Sequence, residues 1–92
     1  MANIYQNPTM KQTLARVIRA NMDLSGHTYR TLCNKLREQF AIEHNPDTLR
    51  NKVTSGALGA QMFLFMMMAM EVEDISISQI QKMYLKLEQE RE

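Results

Sequence analysis

Apolar residues recur at three- and four-residue spacing through most of this chain, and that spacing predicts helices rather than strands. Met10, Leu14, Val17, Ile18 and Met22 form the first such stripe, with Lys11, Arg16 and Arg19 off it. Asp23-Leu24-Ser25-Gly26 breaks the pattern, and Gly26 is a candidate terminator. Thr28 is placed to cap a second helix whose apolar face is Tyr29, Leu32, Cys33, Leu36 and Phe40. Residues 41–44 read as a turn, with Ile42 pointing into the core. Asn45 to Gly56 then spells a short helix with both ends written in. Asn45 is the cap, Pro46 takes the first helical position, Asp47 favours the positive end of the helix dipole, and Gly56 stops it. Leu49 and Val53 share its inner face, leaving Arg50, Asn51, Lys52 and Thr54 outside. The next helix opens near Gly59. It is apolar almost all round from Met62 to Met70, which predicts burial on nearly every side. Ser76 or Ser78 can cap the last helix, residues 76–91, with a narrow seam of Ile77, Ile80, Tyr84 and Leu87 that Met83 could widen. Residues 1–9 show no apolar period and read as a flexible N-terminal arm, ahead of one helical domain over residues 10–92.

Ninety-two residues suit one domain with a modest core. The formal net charge is only +1, but it is unevenly spread. Through Gly56 there are eight Lys/Arg against four Asp/Glu; after it there are three against six. A basic half suggests a surface facing a polyanion. Cys33, the one cysteine, falls on an apolar face and reads as a small core residue. His27 and His44 fall in loops, and no Cys/His cluster has zinc-ligand spacing. No convergent acid, base, nucleophile or metal set is visible, so the expectation is a non-enzyme without a cofactor. The methionine-rich run reads as adaptable core filler. No apolar run is long enough for a membrane span and no signal-peptide pattern opens the chain, so the expected location is cytoplasmic, with no membrane or small-molecule partner.

In this order, the five helices resemble the lambda-repressor-like (Xre/Cro-type) helix-turn-helix domains. The resemblance rests on the T-x-x-x-L opening of the second helix, Thr28 to Leu32, on Ser55-Gly56 closing the third, and on the buried helix that follows. The stretch TLRNKVTSGALGAQMFLFMMMAMEV is also similar to a family of small bacterial domains of unknown function, in which L-R-N-K-[IV]-x-x-G precedes an aromatic-rich helix. The resemblance implies a compact, all-α, five-helix fold that binds double-stranded DNA sequence-specifically as a small bacterial or phage transcriptional regulator. Residues 45–55 would enter the major groove. Arg50 and Asn51 would meet base edges, with Thr48 and Lys52 as second choices. Thr28, Tyr29, Arg30 and Lys35 would hold phosphates. Such a domain reads few base pairs alone. A homodimer through Ile77, Ile80, Met83, Tyr84 and Leu87 is therefore expected, with closure of the monomer against the Met62–Met70 helix as the equal alternative. Two departures from the repressor pattern stand out. Leu36 to Leu49 holds extra residues, so either the second helix is longer or the turn is looser. Asn45-Pro46-Asp47 replaces the usual glutamine or serine. The competing function is a protein-interaction module on the same fold without DNA binding.

Overall fold

A computed structural model describes residues 7–91. They form α1 (Pro8–Ser25), α2 (Tyr29–Phe40), α3 (Pro46–Ser55), α4 (Ala60–Ala69) and α5 (Ile77–Glu90), with no strand among the described residues. Each of the first three helices starts on a side-chain cap. Asn7, Thr28 and Asn45 accept from the backbone N–H of Met10, Thr31 and Thr48. Thr31 returns the bond to the Thr28 backbone N–H at 2.9 Å, closing a capping box. Ser76 caps α5 through the Gln79 N–H at 3.2 Å.

The arm expected over residues 1–9 lies mostly outside the described residues, and its last part is helix. Asn7-Pro8 repeats the Asn45-Pro46 arrangement, a cap followed by a proline whose missing N–H is not needed at the first helical position. This earlier start also changes the buried stripe. Met10 is 46% exposed, while Thr9 and Thr13 are buried. Thr13 Oγ1 satisfies itself by donating to the Thr9 carbonyl at 2.8 Å.

At ~100° per residue, Thr9, Thr13 and Val17 fall on one side of α1, and Ala15, Ile18 and Met22 on another. Only the second set joins the main core, with Leu32, Cys33, Leu36, Leu49, Val53, Met66, Met67, Ala69 and Met70. α3 packs on α1 and on α2, and α4 packs on α2, where the Phe40 and Phe65 rings lie 5.1 Å apart in a tilted pair. α5 packs on α1, not chiefly on the methionine-rich helix. The groove between α1 and α5 is lined by Val17, Ala20, Leu24, Ile75, Ile80 and Met83, and Leu87 is buried. Of the seam expected either to pair two copies or to close the monomer, Leu87 is covered within the chain and Ile80, Met83 and Tyr84 are partly covered, while Ile77 is 71% exposed. Asn7 Nδ2 reaches the Tyr84 hydroxyl at 3.5 Å, joining the start of α1 to α5.

α4 departs from its expectation too. It is apolar but not enclosed: Gln61, Leu64 and Met68 form an exposed stripe, with Leu64 and Met68 more than half exposed. Packing on α2 covers one side of this short helix, and among the described residues the stripe of Gln61, Leu64 and Met68 stays exposed.

Left-handed residues end three of the first four helices' turns, Gly26, Ala41 and Gly56, and a fourth, Glu71, follows α4. At Gly56, φ is +70°, and the Ala57 N–H returns to the Lys52 carbonyl at 3.0 Å. Gly56 also presses on α1. A Cβ there would stand 2.5 Å from both Cβ and Cγ of Lys11, atoms too near the backbone to swing away. Gly26 has the same backbone sign but open space around it. Gly26→Ala should therefore cost about 1–2 kcal/mol, the left-handed penalty alone, and Gly56→Ala clearly more; denaturant midpoints would order the two. Ala41 occupies the left-handed region at φ 55° with a Cβ it does not need, its N–H bonded to the Arg37 carbonyl at 3.1 Å. Ala41→Gly should raise unfolding free energy by roughly 0.5–1 kcal/mol, read from the same midpoint shift.

Candidate functional site

α3 turns a polar face outward. Its inner side is fixed by Leu49 and Val53, both fully buried. At ~100° per residue, Asn51 lies opposite them, flanked by Asp47, Thr48, Thr54 and Ser55. All five are exposed. Arg50 and Lys52 sit on the two flanks, about 160° apart around the axis, so they do not share one surface. Lys52 is partly covered and Arg50 turns toward α2.

The five-residue turn, residues 41–45, sets α3 beside α2. The extra residues between Leu36 and Leu49 are accounted for by α2 running to Phe40 and by this turn. Ile42 is partly buried against the core. Two open clefts result. The first is lined by Arg19, Met22, Asp23, His27, Thr28, Tyr29, Arg30, Pro46, Asp47 and Arg50. The second, also bordered by Arg30, runs past Asn34, Arg37, Glu43, His44 and Asn45. Tertiary structure thus gathers Thr28, Tyr29, Arg30 and Arg50 around one cleft. Lys35 lies elsewhere: five residues beyond Arg30, it falls ~140° around α2. Two residues that periodicity did not single out take its place. Arg37 lies seven residues after Arg30 on the same side of α2, and Arg19 crosses from α1 to donate to Thr54 Oγ1 at 3.1 Å. The i, i+7 spacing of Arg30 and Arg37 was readable in the sequence. The approach of Arg19 to Thr54 was not, because it depends on how α1 and α3 cross.

Four arginines border the two clefts, but Asp23, Asp47 and Glu43 border them as well. The charge there is mixed, not uniformly basic. Arg50 shows this most directly. Its Nη1 donates to Asp47 Oδ1 at 3.0 Å, and its guanidinium carbon lies 5.3 Å from the centroid of the Tyr29 ring. Both charged side chains are more than half exposed, so the pair is a weak restraint, worth under ~1 kcal/mol. The Tyr29 ring is partly buried against the core and gives the cation a fixed face.

His27 Nδ1 lies 3.0 Å from Thr31 Oγ1, on the capping residue pair of α2. Cys33 is buried, and burial pushes its thiol above its usual pKa, so it is a poor nucleophile at neutral pH. Among the described residues no three His, Cys, Asp or Glu side chains are placed to hold a metal ion, and no helix is long and apolar enough to cross a membrane.

The Tyr29 hydroxyl is buried without a hydrogen-bond partner. A buried donor left unmade costs stability, while the ring keeps its packing without it. Tyr29→Phe should thus lose no stability and gain up to about 1 kcal/mol. A thermal melt showing a lower midpoint than wild type would mean that the hydroxyl has a partner in solution.

Residues 10–75 match the family model described as Domain of unknown function (DUF6471). No curated protein and no solved structure matches the chain. The matched stretch contains α2, α3 and α4 whole, together with both clefts, and stops before α5. The match spans well over half of the 92 residues, and on that ground the chain belongs to the DUF6471 family.

Proposed function

We propose that this protein binds double-stranded DNA sequence-specifically, with α3 in the major groove, as a small transcriptional regulator on a lambda-repressor-like helix-turn-helix frame. The observation that carries the reading is the pairing of α2 and α3. Two capped helices joined by a five-residue turn leave a polar, hydrogen-bonding face on the second and arginines beside its start. Such a face meets the needs of groove reading, where short polar side chains bond base edges while flanking cations hold the backbone. In this arrangement Asn51 is the first base-reading residue, suited to adenine N6 and N7. Thr48 and Ser55 flank it. Arg30, Arg37 and Arg19 are the phosphate holders, with Thr28 and Tyr29 at the rim of the cleft. Lys35 and Lys52 contribute only to the general field.

The second reading is a protein-interaction module. It is favoured by the exposed Leu64 and Met68 on α4 and by the carboxylates among the arginines. A partner could meet the α4 stripe while α3 stays free of DNA.

Duplex binding should weaken as salt rises, with a log–log slope near ~0.9 per phosphate held. Arg30→Ala should reduce that slope by about one phosphate and weaken every duplex alike. Asn51→Ala should cost about 1–3 kcal/mol on the preferred site and little elsewhere. Fluorescence anisotropy over a salt series checks both. Absence of binding to any genomic fragment at low salt would favour the interaction module.

A further inference from the structure

We propose that Asp47 is the selectivity residue of this surface: it stations Arg50 for a guanine edge and turns it away from the phosphate backbone. The inference rests on the duplex-DNA reading above.

Arg50 is restrained from two sides. Asp47, three residues earlier on the same helix, accepts from Nη1 at 3.0 Å. Tyr29, on the neighbouring helix, lies under the guanidinium with 5.3 Å between the guanidinium carbon and the ring centroid. Neither contact is strong where the side chains are 54% and 82% exposed. Together they bias the orientation of a group that otherwise sweeps a wide arc from a long, flexible stem. The guanidinium carries five donors in a planar fork, and Asp47 engages only Nη1. Donors remain for the paired acceptors O6 and N7 of guanine, which require an oriented fork and not merely a charge.

The carboxylate has a second effect. Asp47 is the more exposed partner, so an approaching phosphate meets a negative charge beside the positive one. The pair is nearly neutral at a distance and adds little to sequence-independent attraction. A guanine edge carries no net charge, so the carboxylate opposes it less than it opposes a phosphate. Asp47 thereby lowers the affinity of Arg50 for any backbone while leaving its fork available to one base. A carboxylate in the first turn also suits the helix dipole, and stability must therefore be measured separately from selectivity.

The test begins by selecting a preferred duplex from a random-sequence pool with the wild-type chain. Dissociation constants for that duplex and for a scrambled one are then measured across a salt series for wild type, Asp47→Asn and Arg50→Lys, with thermal melts of each. Asp47→Asn should bind the scrambled duplex more tightly and gain about one phosphate in salt slope. Its preference for the selected duplex should fall by about tenfold or more, the worth of one bidentate base contact. Arg50→Lys keeps the charge and loses the fork, so it should lose the same preference; Asp47→Ser, which also removes the charge, takes the place of Asp47→Asn if that variant fails to fold and is read by the same criteria. If Asp47→Asn is folded and shifts both affinities in step, Asp47 has no selective role and the inference is overturned while DNA binding stands. If the pool yields no preferred duplex for wild type, the DNA reading itself falls, and this inference with it.

Discussion

The fold depends on α1 being buried along two faces at once. Ile18, Ala15 and Met22 close the main core with α2, α3 and α4, while Thr9, Thr13 and Val17 face another way and α5 packs on α1. A helix gripped on two sides has little freedom to rotate or slide, because either motion opens a void on one side and a clash on the other. α1 is also the helix against which α3 is set. Gly56 brings the end of α3 so near Lys11 that only a residue without a Cβ fits, and Arg19 bonds Thr54 along the same contact. The placement of the polar face of α3 therefore follows from packing behind it.

That dependence explains why the candidate site sits where it does. Leu49 and Val53 anchor the inner side of α3, so Asn51 must point outward and Arg50 must lean toward α2. The rest follows from what α2 presents. Tyr29 supplies a ring, Arg30 a cation beside the start of α3, and the five-residue turn the spacing between them. The surface is less basic than the charge of the N-terminal half suggests, since three carboxylates share the clefts with four arginines.

The exposed stripe of α4 and the partly covered seam of α5 show how little a pattern says about which element covers a face. α5 carries a seam that could serve a second copy or the monomer, and part of it packs on α1. α4 looks like an enclosed core helix and leaves Leu64 and Met68 in solvent. Amphipathic patterning says that a face will be covered, not which element will cover it. A uniformly apolar helix says even less, because it carries no polar side to declare which face is left over.

Helix number, order and most ends were legible in the chain itself, because they are local. Asn45-Pro46 and Gly56 bracket α3, Thr28 opens α2 and Ser76 opens α5, each through bonds reaching at most a few residues. The start of α1 was equally local, written in the same Asn-Pro pair at Asn7-Pro8, and lacked only an apolar residue to draw the eye; Thr9 and Thr13 are buried in spite of their hydroxyls. The stretch from Thr48 to Val72 likewise carried the family resemblance without any tertiary information. Tertiary structure alone decided what converges. It brought Arg19 to Thr54, set Arg50 over Tyr29, separated Lys35 from Arg30, and laid α5 on α1 more than on α4. Each of these turns on the crossing of two helices. Crossing geometry is fixed by side-chain interdigitation and by close approaches such as Gly56 on Lys11, and periodicity along one helix does not record them.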